Sequence, residues 1–188
     1  MAQGVKQRMV EGAVVLLAKH GLQATSFSGV LALTGAPRGS VYHYFPEGKE
    51  QLVASAVDLA GERAIALLDE LEGASADEIT RRFLAMWRSL LERSGFGAGC
   101  AVLAVTVAAD SPALLEHATV VFRTWRGRLA LLLETGGLAP ADAAGFASLL
   151  VAASEGAVVL ARAEQSMEPF DLVADQLLNS LKALSGIH

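Results

Sequence analysis

A single cysteine, Cys100, in 188 residues leaves no partner for an intramolecular disulfide and excludes the stapled scaffolds of oxidising compartments. A lone thiol fits a reducing, cytoplasmic setting. Histidine is nearly as scarce: His20, His43, His117 and His188 stand far apart, with no metal-ligand spacing. With one thiol and no such cluster, the sequence offers no activated nucleophile or metal centre, so no catalytic, metal-binding or cofactor-binding residue is assigned. Positive charge is not in excess either; the formal net charge of −5 argues against a nonspecific nucleic-acid binder. The longest uncharged apolar run, Gly97 to Ala109, is well below the roughly 20 residues that a membrane span needs. Ala13–Ala18 is too brief for the apolar part of a signal peptide. A soluble, cytoplasmic protein with no membrane partner is expected. Only five prolines interrupt a chain rich in Ala and Leu whose β-branched clusters are short, so an all-α fold is expected.

What the chain has in surplus is apolar surface. Hydrophobic residues make up 53% of it, more than a small monomer needs, and the excess must line a dimer interface, a ligand cavity, or both. Charge is unevenly spread. Residues 1–50 carry five basic against three acidic side chains, and the remainder ten against seventeen. That asymmetry suits a small basic reader on an acidic body.

About nine helices are legible. The first covers residues 5–20, with Met9, Ala13, Leu16, Leu17 and His20 on one face. Ser26 is a good N-cap for a second helix from Phe27, and Gly35 supplies the left-handed residue that stops it. Pro37 suits the first turn of a third helix, with Ala36 as a poor cap. In that helix Val41 and Phe45 lie four apart and can pack inward. Two short helices about three residues apart form a helix-turn-helix. Arg38, in the first turn, is the candidate for bidentate readout of a guanine edge. Gly39 permits close approach to the duplex. Ser40, Tyr42 and His43 offer donors to phosphate oxygens, and Lys49 adds one more after the Pro46–Gly48 turn. Ser26, Ser28 and Pro37 complete the candidate double-stranded DNA contact set.

The string Gly35-Ala36-Pro37-Arg38-Gly39-Ser40-Val41-Tyr42-His43-Tyr44-Phe45, followed by Lys49, resembles the recognition helix and exit turn of TetR-type transcriptional repressors. The detailed resemblance covers roughly residues 5–60. Ser28 stands where many relatives carry a basic residue, and Gly48 lengthens the exit turn by one. Gly95 to Ala104, GFGAGCAVLA, is similar to the start of the C-terminal domain in the LmrA/YxaF-like branch. The resemblance implies a homodimeric repressor of a palindromic operator, released by a small hydrophobic or aromatic effector. The alternative is a constitutive DNA-binding dimer without an effector. The domains are set at residues 1–48, for DNA binding, and 49–188, for ligand binding and dimerisation.

In the body, a long helix over residues 49–72 is expected to join reader and body without a flexible linker. Ser75-Ala76-Asp77-Glu78 is a capping box that starts the next helix. Residues 94–99 form a glycine-rich break whose spacing fails the dinucleotide fingerprint. Helices follow over 98–109, from Pro112 to the Gly136-Gly137 pair, from Pro140 to about Gln165, and from Pro169 to Leu184. Aromatic residues, only 6% of the chain, cluster with apolar neighbours into a candidate effector site: Phe83, Trp87, Leu91, Cys100, Leu103, Phe122, Trp125, Phe146 and Leu150. Thr106, His117, Ser154 and Glu155 are candidates for its polar groups. Small residues in the Pro140 helix and an amphipathic last helix point to a four-helix dimer contact through Ala143, Leu150, Ala153, Ala157, Leu160, Phe170, Val173, Leu177 and Leu181.

Overall fold

The computed structural model describes Ala2 to Ser185, with side chains from Gly4 onward, so His188 lies outside the described residues. Among these residues there are nine helices and no strand, as the composition predicts. They are α1 (Ala2–Ala24), α2 (Phe27–Thr34), α3 (Ser40–Tyr44), α4 (Lys49–Asp69), α5 (Ala76–Ser94), α6 (Ala101–Thr106), α7 (Pro112–Thr135), α8 (Pro140–Glu164) and α9 (Glu168–Ser185).

The chain divides into two compact units, residues 1–63 with 100–122, and residues 64–99 with 123–188. In the first unit α1 packs against α2, α3 and α6. Met9, Ala13 and Leu17 fill its core from α1, Val30 from α2, Val41 and Phe45 from the reader, and Val102 and Val105 from α6. The close fit of α1 on α2 uses Gly12, where a Cβ would meet the Thr34 Cγ2 methyl at 2.6 Å. His20, expected on the inner face, is exposed. The helix breaks at Gly21 (φ 78°, ψ −179°), a conformation reserved for glycine, so the inner stripe ends at Leu17.

In the second unit α8 and α9 pack together, and α5 lies against both. Its core holds Ile79 and Leu91 of α5, Leu129, Leu132 and Leu133 of α7, Leu150 of α8, and Phe170 and Leu181 of α9. Ser75 caps α5 by accepting from Glu78 N–H at 3.3 Å, while the Glu78 carboxylate turns to Arg82. Only half of the predicted capping box is therefore formed. At the other end Gly95 N–H donates to the Glu92 carbonyl and Phe96 N–H to the Leu91 carbonyl, closing the helix through two left-handed residues. The glycine-rich segment is a helix stop with tight packing, since a Cβ on Gly97 would lie 2.9 Å from the Ser94 carbonyl. It shortens α6, which starts at Ala101 and not at Ala98. By length and composition α8 is apolar enough to cross a bilayer, but half of its most apolar window is buried against the chain itself.

Candidate nucleic-acid interface

The reader is built from caps. Ser26 Oγ accepts from Gly29 N–H at 3.2 Å and starts α2. Gly35 (φ 65°, ψ 17°) ends it, donating its N–H to the Leu31 carbonyl at 2.9 Å. The third helix is shorter than the sequence suggests. Pro37, Arg38 and Gly39 form a tight turn closed by Ser40 N–H on the Pro37 carbonyl at 3.0 Å, and regular helix begins only at Ser40. The physical reason is the missing cap: Ala36 offers no acceptor, Gly39 takes the N-cap position, and the Ser40 hydroxyl donates to the Pro37 carbonyl at 2.5 Å.

Two anchors hold this five-residue helix. Val41 and Phe45 are buried, and the Phe45 ring lies 6.3 Å from that of Phe27 on α2. The other face is open: Pro37, Arg38, Gly39 and His43 are exposed, and Tyr42 is 80% exposed. The Arg38 side chain makes no ion pair or hydrogen bond among the described residues, so its five donors are available. His43 stacks edge-on against Tyr44 with ring centroids 4.7 Å apart, which orients the imidazole. Ser28 is exposed, its hydroxyl 3.0 Å from that of Ser26. Ser40 is only partly exposed, and its hydroxyl is already engaged within the turn.

Lys49 occupies a position the sequence did not reveal. Its ammonium donates to the Leu22 carbonyl at 2.9 Å, beside the Gly21 break, where the end of α1 leaves carbonyls without helical partners. Thr25 serves the same end, donating its N–H to Leu22 and its hydroxyl to the Gly21 carbonyl. Lys49 also lines an open cleft of about 200 Å³ with Gln23, Glu50, Asp110 and Ser111. A further cation, Lys6 of α1, sits 6.0 Å over the Phe45 ring and adds charge beside the reader. In the sequence it is an isolated lysine, indistinguishable from a solvated charge.

The other candidate sets are distributed as follows. Phe83, Trp87, Leu91, Trp125, Phe146 and Leu150 are buried in the second unit. Cys100, Leu103 and Phe122 belong to the first, where Cys100 caps α6 by accepting from Leu103 N–H at 3.3 Å. Of the polar candidates only Ser154 and Glu155 are buried. Thr106 is exposed and bonds back to the Val102 carbonyl, and His117 pairs with Asp58 at 2.8 Å and not with its neighbour Glu116. Among the nine dimerisation candidates, Ala143, Leu150, Ala157, Phe170, Leu177 and Leu181 are buried within the chain. Ala153, Leu160 and Val173 reach the surface. No cluster of three His, Cys, Asp or Glu residues forms among the described residues.

A capped short helix, a glycine turn and an anchored second helix with exposed Arg, Tyr and His define a helix-turn-helix DNA reader on an all-helical body. Comparison with known proteins agrees. The tetR family of bacterial regulatory proteins matches residues 9–56, and the LmrA/YxaF-like transcriptional regulator C-terminal domain matches residues 76–176. An uncharacterized HTH-type transcriptional regulator of Mycobacterium tuberculosis is 39% identical, with 96% of each chain covered. The HTH-type regulator YxaF of Bacillus subtilis is 28% identical, covering 92% of each. A TetR transcriptional regulator from Chloroflexus aurantiacus superposes with a TM-score of 0.80 at 30% identity, covering 96% of both chains. A regulatory protein TetR from Rhodobacter sphaeroides shares the fold, with a TM-score of 0.83 at 23% identity over 92% of this chain and 96% of that one. The chain belongs to the TetR family of transcriptional regulators, with an LmrA/YxaF-like C-terminal domain.

Proposed function

We propose that the protein is a homodimeric repressor whose paired reader helices enter successive major grooves of a palindromic operator, and that a small hydrophobic effector releases it. The observation that carries this reading is the reader surface itself: Arg38 without an internal partner, next to exposed Gly39, Tyr42 and His43 on a helix fixed by Val41 and Phe45. An arginine held in the first turn reaches base edges, and the hydroxyl and imidazole groups reach phosphates. Residues 1–48 do the reading, while 49–188 bind effector and second subunit.

Dimerisation is needed because the reader carries little charge, and two half-sites supply what one cannot. The face that supports it lies on α8 opposite its buried stripe. Leu149, Val159 and Leu160 are 47%, 50% and 49% exposed, with Ala152 and Gly156 exposed between them, and Leu172 of α9 is exposed at 65%. Apolar residues at helical spacing around small ones suit close helix packing. The dimer contact thus rests on Leu149, Ala152, Gly156, Val159 and Leu160 rather than on the buried set. An effector can release DNA only if it binds one arrangement of the dimer more tightly than the other.

The test is selection of operators from random duplexes with the full-length protein, followed by stoichiometry on the selected site. A palindromic site whose half-sites lie about one helical turn apart, or a multiple of it, is expected, with two chains per site. Asymmetric sites bound by one chain would sink the reading. Titration of apolar compounds against the bound operator separates a ligand-responsive repressor from a constitutive DNA-binding dimer.

A further inference from the structure

A hydroxyl has one proton to give. In the reader that of Ser40 is already given: its Oγ donates to the Pro37 carbonyl at 2.5 Å, with the thioether sulfur of Met9 on α1 a second and weaker acceptor at 3.7 Å. Phosphate oxygens only accept, so Ser40 can donate to DNA only by releasing this contact. Its side chain is also partly buried, whereas Arg38, Tyr42 and His43 are exposed. A direct phosphate contact would therefore cost the turn its closure.

What the bond closes is the segment that carries Arg38. Ala36 and Val41 are buried, and the residues between them cross the surface, with regular helix starting only at Ser40. Pro37 has no N–H, Ala36 offers no side-chain acceptor, and a Cβ on Gly39 would meet nothing within 4 Å, so neither capping nor packing fixes the turn at these positions. It is held by Ser40 N–H at 3.0 Å and Ser40 Oγ–H on the Pro37 carbonyl, and by Val41 N–H on the Arg38 carbonyl, stretched to 3.4 Å. Ser40 supplies two of these three bonds. Met9, fully buried in the first unit, braces the same hydroxyl from 31 residues earlier. Readout by a guanidinium tolerates little error, because two N–H groups must meet guanine O6 and N7 together. Such a site has to be held to about 0.5 Å by supporting contacts. The Arg38 side chain has no internal ion pair or hydrogen bond, so it inherits its placement from its backbone.

We infer that Ser40 is a positioning residue for base recognition: its hydroxyl locks the turn from Pro37 to Ser40 so that Arg38 presents its guanidinium to one base pair. Ser40 thus acts on sequence preference through Arg38 and donates nothing to phosphate. This rests on the DNA-reading surface proposed above and deepens it.

Full-length Ser40→Ala, Ser40→Cys and Ser40→Thr are compared with the unaltered protein on the selected operator and on duplexes changed at each position in turn. Arg38→Ala marks the base pair that Arg38 reads. Ser40→Ala is expected to cut discrimination at that base pair about three- to tenfold, the worth of one hydrogen bond, and to leave preference at the other positions unchanged. Ser40→Thr keeps a hydroxyl that can bond a carbonyl three residues back, so it should restore the discrimination. Ser40→Cys fills nearly the same space with a weak donor and is expected to fall between, which carries the test if the alanine variant is unstable. In an Arg38→Ala background, Ser40→Ala should change preference no further, because the two side chains act as one unit. A uniform loss of affinity with discrimination at the Arg38 base pair intact would make Ser40 a phosphate donor and overturn the inference. Full discrimination in Ser40→Ala, additive losses in the double variant, or Ser40→Thr no better than Ser40→Ala overturn it as well. So does an Arg38→Ala variant with no altered position. The reading beneath fails differently: an unaltered protein that selects no duplex loses the reader and this role together, whereas normal selection with an unchanged Ser40→Ala preference removes the role of Ser40 alone.

Discussion

In α3 five residues suffice, because two buried side chains hold the helix and its polar groups, Tyr42 and His43, face outward. In α8 twenty-five residues carry apolar groups on nearly every side, and two polar ones, Ser154 and Glu155, face inward. A helix that reads DNA keeps its donors unspent and reachable, so its chemistry is visible at the surface. A helix that fills a core and also carries apolar groups at its surface has two apolar faces, and its buried polar groups matter because burial leaves so little freedom to satisfy them. The contrast separates residues whose loss weakens recognition from residues whose loss weakens the assembly.

The strongest way to break that contrast is to charge one apolar face of α8 and hollow the other. Val159→Asp with Leu160→Asp places two carboxylates on the exposed face. The protein is expected to become monomeric at micromolar concentration, with operator affinity falling by more than about a hundredfold, while the subunit stays helical. Sedimentation velocity and operator titration give the answer, and a variant that remains dimeric removes this face from the interface. Leu150→Ala on the buried face should do the reverse. It costs about 2–5 kcal/mol of stability, read by thermal and denaturant unfolding, with the oligomeric state retained.

The same contrast explains what could be read from the chain alone. The reader was legible because each local signal has one physical solution. Ser26 before Phe27 reads as a cap, Gly35 as a left-handed stop, and Val41 with Phe45 as a four-residue inward pair, and all three are found in place. Which apolar side of α8 faces out was not legible, because periodicity gives a direction only when one side of a helix is polar. On α8, Ala143, Leu150 and Ala157 sit inside while Leu149, Val159 and Leu160 sit outside, and both triplets follow helical spacing. The neighbour α9, with charges on one side, points Phe170, Leu177 and Leu181 inward, where its pattern gives one clear direction. The internal contact of Lys49 was not legible for another reason: its acceptor is the Leu22 carbonyl, 27 residues earlier, and no local sequence rule reports on a contact at that separation.

A middle-sized effect belongs to Arg38. Arg38→Ala should leave Tm nearly unchanged, because the side chain is exposed and has no internal ion pair or hydrogen bond, yet reduce discrimination at one operator position by about ten- to a hundredfold. Selection from randomised operators measures it. An unaltered preference at every position would move base readout away from this residue.

The smallest effect, and the sharpest test of the divide between exposed and internal roles, falls on Lys49, which has both. An ammonium carries three donors, and the Leu22 carbonyl takes one. The others can meet a phosphate from the open cleft. Lys49→Met keeps the aliphatic stem and removes the charge. Losing the carbonyl contact should lower Tm by a few degrees, and losing one phosphate contact should weaken all operators equally and reduce the salt slope of binding by about one unit. The two readouts move independently. A lower Tm with an unchanged slope would make Lys49 purely a clasp between the end of α1 and the start of α4, and a shallower slope with unchanged Tm would make the Leu22 contact incidental.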